Sequence, residues 1–230
     1  MRVQVDRWGG ARAAESSRDG ERLVLAFGAR GSLTSEWDTL AAAFPGAALL
    51  GCSTAGEIMG TSVSDGTIAL ARVDLNRTSV RTASAMIDGD GSAVAGERLA
   101  EQLAAPDLQY VFVLSDGLRA NGSELVRGLT SKLGSKVTLT GGLAGDAAAF
   151  EETVVGVGPQ LASGQVGAVG FYGDSLRVST GSLGGWDSFG PERRVTRAVG
   201  NVVYEFDGQP ALSLYKRYPE STDGLGCAGC

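Results

Sequence analysis

The chain contains no histidine at all and only three cysteines in 230 residues. Without histidine, Ser-His-Asp and Cys-His catalysis, His-ligated zinc and His-ligated haem are excluded. An odd number of cysteines, two of them at Cys227 and Cys230, does not make a disulfide framework. That lone Cys-x-x-Cys pair supplies two of the four ligands zinc needs, so a tail is expected there and not a metal site. No apolar run approaches a membrane span, and Met1-Arg-Val-Gln-Val-Asp-Arg-Trp8 lacks a secretory apolar core, which sets the cytoplasm as the expected location and leaves out a membrane partner. Positive charge is also scarce. The net charge is −6, the pI is near 4.8, and no Lys/Arg cluster is long enough to track a phosphate backbone, which argues against a nucleic-acid partner.

What is present is apolar material for a sizeable core: 43% hydrophobic residues with a mean hydropathy near zero, enough for one large domain or two fused halves. The most informative feature is a loop that occurs twice. Gly51-Cys-Ser-Thr-Ala-Gly-Glu57 and Thr140-Gly-Gly-Leu-Ala-Gly-Asp146 each follow a short apolar run and each end in Ala-Gly-acid. The offset of 89 that carries Glu57 onto Asp146 also carries Leu23-Val-Leu-Ala-Phe-Gly28 onto Phe112-Val-Leu-Ser-Asp-Gly117. Downstream, an offset of 98 carries Gly66-Thr-Ile-Ala-Leu-Ala71 onto Gly164-Gln-Val-Gly-Ala-Val169, so the second copy holds nine extra residues between Phe150 and Ser163. Duplication of an ancestral half is the expectation.

In chain order, residues 1–20 form a lead-in without a clean period. Arg22 to Phe27 reads as a strand, and Ser32-Leu-Thr-Ser35 followed by Glu36 reads as the capped start of a helix with Trp37, Leu40 and Phe44 on one face. A strand over Ala47 to Leu50 leads into the first loop, residues 56–66 read as irregular, and two strands joined by Asp74-Leu-Asn-Arg77 predict an antiparallel hairpin. The second half predicts a helix over about Gly91 to Ala104 and a strand Tyr110 to Leu114 that delivers Ser115-Asp116-Gly117. It continues with a helix capped by Asn121 and closed at Gly134, a strand Val137 to Leu139, and a strand Thr153 to Val157 without a first-half counterpart. A hairpin of Val166 to Phe171 with Ser175 to Thr180 follows. Last come strands Arg194 to Ala198 and Val202 to Phe206 and a helix start at Pro210. The fold class is therefore α/β: two pseudo-repeated halves, each strand-helix-strand plus an antiparallel hairpin, in mixed sheets with outer helices.

Together the two Ala-Gly-acid loops, the Ser115-Asp-Gly117 strand end, Arg194-Val-Thr-Arg-Ala-Val-Gly200 and Val203-Tyr-Glu-Phe-Asp-Gly-Gln-Pro-Ala-Leu212 resemble the N-terminal FIST domain, of F-box and intracellular signal transduction proteins. The likeness covers roughly residues 20–215. It implies a lead-in over 1–20, a sensory domain over 21–200 with half-repeats at about 21–90 and 91–185, and over 201–230 the start of a truncated C-terminal FIST domain with a tail. It further implies an intracellular signal-transduction role, a small ligand such as an amino acid, a signalling output protein or domain as partner, and no known catalytic reaction. Self-association into a homo-oligomer is a further expectation, and no cofactor is expected.

Read residue by residue, the loops suit a zwitterion better than a phosphate, which an adjacent acid would repel. Glu57 and Asp146 would flank one cleft and hold an ammonium, while Ser53, Thr54 and backbone N–H groups, including those of Gly141 and Gly142, would meet a carboxylate. The competing reading makes Thr54-Ala-Gly-Glu57 a capping box and Asp146 a turn former. Asp116 is a ligand contact or the organiser of its own turn. Cys52 is a candidate contact, a packed thiol, or, in the alternative function, the nucleophile of a thiol-dependent enzyme. Trp186, in a glycine-rich loop, is a candidate pocket wall.

Overall fold

The computed structural model describes residues 1–10, 21–89, 91–181, 190–200 and 202–216. The chain divides into two units, Met1–Ser179 and Thr180–Cys230. The first unit contains, in order, β1 (Arg2–Arg7), β2 (Glu21–Gly28), α1 (Arg30–Ala43), β3 (Ala48–Ser53), β4 (Glu57–Met59), β5 (Ser62–Ser64), β6 (Ile68–Leu75) and β7 (Ser79–Met86). It continues with α2 (Gly91–Leu103), β8 (Leu108–Ser115), α3 (Gly122–Leu133), β9 (Thr138–Leu143), β10 (Val155–Val157), β11 (Gln160–Ala162) and β12 (Gln165–Tyr172).

Two sheets stack face to face with helices outside both. One has the order β1-β6-β2-β3-β10-β11 and the other β7-β12-β8-β9; β2 runs parallel to β3, β8 parallel to β9, and every other pairing is antiparallel. The continuous apolar runs explain the layering, because a strand buried on both faces must be apolar at every position. In β2, Leu23, Leu25 and Phe27 enter the core between the sheets, while Val24 and Ala26 face the core under α1. In β8, Tyr110, Phe112 and Leu114 point between the sheets, and Val111 and Val113 point to the core with α2 and α3. All eight residues of β12 are buried. Trp37, 2% exposed, packs its ring against Gly51 and Gly156 and donates its indole N–H to the Gly158 carbonyl at 3.1 Å. A Cβ at Gly156 would collide with the indole ring.

The mixed α/β class, the mixed sheets and the outer helices agree with the sequence reading. The two hairpins do not form as expected. β6 is flanked by β1 and β2 in one sheet while β7 lies in the other, so Asp74 to Arg77 joins layers instead of neighbours. β12 is flanked by β7 and β8, which occupies both its edges, and Ser175 to Thr180 has no strand structure. The stretch between Phe150 and Ser163 forms the β10–β11 hairpin, which joins the first sheet beside β3. Two local readings also change. α1 starts at Arg30 without a side-chain cap, because the cap position is Ala29, while Ser32 lies within the first turn and its hydroxyl donates to the Gly66 carbonyl at 2.9 Å; residues 57–64 form the short β4–β5 ribbon. α3 follows expectation: Asn121 Oδ1 accepts the Glu124 N–H at 3.2 Å and Gly134 takes positive φ at the far end.

The second unit is a small antiparallel sheet of β13 (Val195–Val199), β14 (Val202–Phe206) and β15 (Gln209–Pro210), followed by α4 (Ala211–Tyr215). Asp207 organises its turn, accepting the Arg194 N–H at 3.0 Å and an Arg193 N–H at 3.2 Å.

Candidate functional site

The four parallel strands end at one place. Leaving β3, the Thr54 N–H donates to the Gly28 carbonyl at the end of β2 (3.0 Å); leaving β9, the Ala144 N–H donates to the Ser115 carbonyl at the end of β8 (2.8 Å). The two repeated loops then meet directly, the Gly145 N–H donating to the Ser53 carbonyl at 2.9 Å. Gly117 packs so closely on the Ala144 carbonyl that no Cβ fits between them. The segment before β10 closes the junction: the Ser53 hydroxyl accepts the Val154 N–H at 3.0 Å, and the Thr153 hydroxyl accepts the Gly117 N–H at 2.9 Å. The carboxyl ends of parallel strands are where α/β sheets commonly bind ligands.

The two loop acids serve different partners. Glu57, 3% exposed, accepts the Thr54 hydroxyl on Oε1 at 2.9 Å and both the Thr67 N–H (3.0 Å) and hydroxyl (2.9 Å) on Oε2. Asp146 accepts the Glu152 and Glu151 N–H groups on Oδ2 at 3.0 and 3.1 Å, and the Arg30 Nε–H on Oδ1 at 3.1 Å. The Glu152 N–H, then the Glu151 N–H and Arg30, hold the Asp146 carboxyl below its ordinary value against the opposing effect of burial. Arg30 is raised in turn, chiefly by its hydrogen bond to Asp146. Arg30 also pairs with Glu152 through Nη1 at 3.2 Å, and its side chain keeps about a third of its surface exposed (34%). Its Nη2 has no partner among the described residues.

The remaining candidates are placed as follows. Asp116, 1% exposed, accepts the Leu118 and Arg119 N–H groups on Oδ1, both at 2.8 Å, and the Gly164 N–H on Oδ2 at 2.7 Å. Burial pushes its carboxyl up, but these N–H donors and the Thr153 hydroxyl outweigh that, and the net shift is downward. Cys52 points into the core between the sheets, 3% exposed, and burial pushes its thiol up to about 12, which leaves no thiolate near neutral pH. Gly141 and Gly142 lie on the edge strand β9 and line an apolar groove of about 280 Å3 against α3, with Leu125, Val126 and Leu143. Ser53, Thr54, Asp116 and Asp146 thus belong to the elements that meet at the junction. Glu57 turns away toward Thr67, Cys52 faces the core, and the two glycines line a different flank. Trp186, Cys227 and Cys230 lie outside the described residues.

Arg30 is the residue that motif reading missed. The offset of 89 that aligns the loops also aligns Arg30 with Arg119, two residues beyond Gly28 and Gly117 at the paired strand ends, and that coincidence could have flagged it. Among the described residues no group of three Cys, Asp or Glu side chains is placed to hold a metal ion, and no helix is long and apolar enough to cross a membrane. Against known protein families, residues 22–209 match the FIST N domain. No curated protein matches the chain.

Proposed function

Since the chain belongs to the FIST family, whose members are sensory domains of signal transduction, we propose that it is a cytoplasmic, non-catalytic receptor for an amino acid bound at the strand-end junction. The observation that carries this reading is Arg30: a guanidinium at the carboxyl ends of the parallel strands, anchored by Asp146, partly open to solvent, with one nitrogen uncommitted and two glutamates beside it. The free Nη2 suits a ligand carboxylate, because guanidinium forks match carboxylate geometry. Glu151 and Glu152, both exposed, suit the ligand ammonium. In this arrangement Asp146 positions the arginine, Ser53 and Thr54 hold the loops together, and Glu57 and Asp116 brace the two turns. Signal output follows from ligand tying the two loops to each other and presenting the changed surface to a signalling protein or to a second copy of the chain.

A non-catalytic role is supported by the missing histidine and by the burial of Cys52, which disfavours the thiol-enzyme alternative. The test is a thermal-shift screen with the standard amino acids on the full chain and on its Arg30→Ala variant. A ligand selective for the folded state raises the midpoint by mass action. The expected result is a concentration-dependent rise in the wild type that is lost in Arg30→Ala; an equal rise in both proteins overturns the assignment of the site.

A further inference from the structure

We infer that the first unit carries a second small-molecule site, an amine-binding cavity between α1, the end of β7 and the β10–β11 hairpin. The cavity has a volume of about 680 Å3, within the size range of small-molecule sites. Gln165, at the start of β12, lines it while being only 3% exposed. The Gln165 amide nitrogen donates to the Val155 carbonyl at 2.9 Å, and its amide oxygen has no partner among the described residues. That oxygen is reached from the cavity and is open to an N–H or O–H from whatever fills it.

The other polar groups of the lining select the donor. Asp38 on α1 brings a carboxylate that makes no ion pair among the described residues. The Thr34 hydroxyl spends its proton on the Arg30 carbonyl at 2.9 Å and is left to accept. No lysine or arginine lines the cavity. Ser84 and Gln160 can donate as well as accept, so the one formal charge of the lining, that of Asp38, selects an occupant that Met86 and Leu161 contact through apolar surface. An organic ammonium with an apolar body fits, and a carboxylate does not. The lining shares no residue with the Arg30–Asp146 junction, so the two sites stand or fall separately.

The test is titration of the 15N-labelled full chain with phenethylammonium, with hydrocinnamate as the anionic control and phenethyl alcohol as the neutral one. Saturable movement of the Gln165 side-chain amide signals with the ammonium, weaker with the alcohol and absent with the carboxylate, is the expected result. Asp38→Asn should weaken the ammonium about fivefold, the upper range for a partly exposed ion pair. Leu161→Trp should abolish binding by filling the cavity, and Arg30→Ala should leave it unchanged. Stationary Gln165 signals at millimolar ammonium, equal binding of the carboxylate, or full affinity in Asp38→Asn would overturn the inference.

Discussion

The turns at Glu57 and Asp146 are alike in sequence and unlike in bonding. Glu57 takes all its hydrogen bonds from Thr54 and Thr67, within the first half of the chain, and is sealed from solvent. Asp146 accepts two local N–H groups and then reaches across to Arg30, from the second half to the first. The flanks account for the difference. The offset of 98 that aligns β6 with β12 aligns Thr67 with Gln165, and the Gln165 amide nitrogen donates to Val155 instead. The second loop thus has no threonine to satisfy its acid, and Asp146, one methylene shorter, turns to nearby backbone and to the arginine. One acid is a brace and the other an anchor for a cation. The same motif therefore tells where an acceptor will stand, and the residues around it decide what it accepts.

The largest expected effect lies on the braced side. Glu57→Ala leaves two hydroxyls and the Thr67 N–H without their part-buried acceptor, for a loss of about 2 kcal/mol in urea unfolding at neutral pH. A loss below about 0.5 kcal/mol would show that the brace is not structural. On the anchored side the expected effect is smaller and depends on pH. The folded-state carboxyl of Asp146 lies below the ordinary 3.8, so its contribution to stability is fully present above that value and is lost as pH falls through the lower, folded-state value. Wild type and Asp146→Asn should differ at pH 7 and converge in strong acid, measured by urea midpoints across that range. A gap that persists unchanged at the lowest pH contradicts this account. The smallest expected effect is at Cys52. In a Cys227→Ser, Cys230→Ser background, iodoacetamide should label Cys52 no faster than the chain unfolds, because a thiol raised to about 12 in the sheet core offers little thiolate. Rapid labelling of the folded protein would restore the thiol-enzyme reading.

The strands were legible in the sequence because runs such as Leu23 to Phe27 and Tyr110 to Leu114 are apolar at every position and of strand length, but their division into two stacked sheets was not. Nor were the strand partners. Asp74 to Arg77 looks like a hairpin turn, yet nothing local reveals that β1 and β2 already occupy both edges of β6. The loops could be matched by their letters, but Arg30 belongs to neither loop and carries no motif of its own. Its partner Asp146 is 116 positions away, a separation that periodicity does not register.

The most direct measurement is the Arg30 Nε–H resonance during titration of the full chain with the amino acid that raises its thermal midpoint. The account predicts saturable movement of that signal and of the Glu151 and Glu152 amides, with the Thr67 amide beside Glu57 and the Gln165 side-chain amide unmoved. A stationary Arg30 signal while the Gln165 amide shifts would contradict it and assign the amino acid to the other cavity.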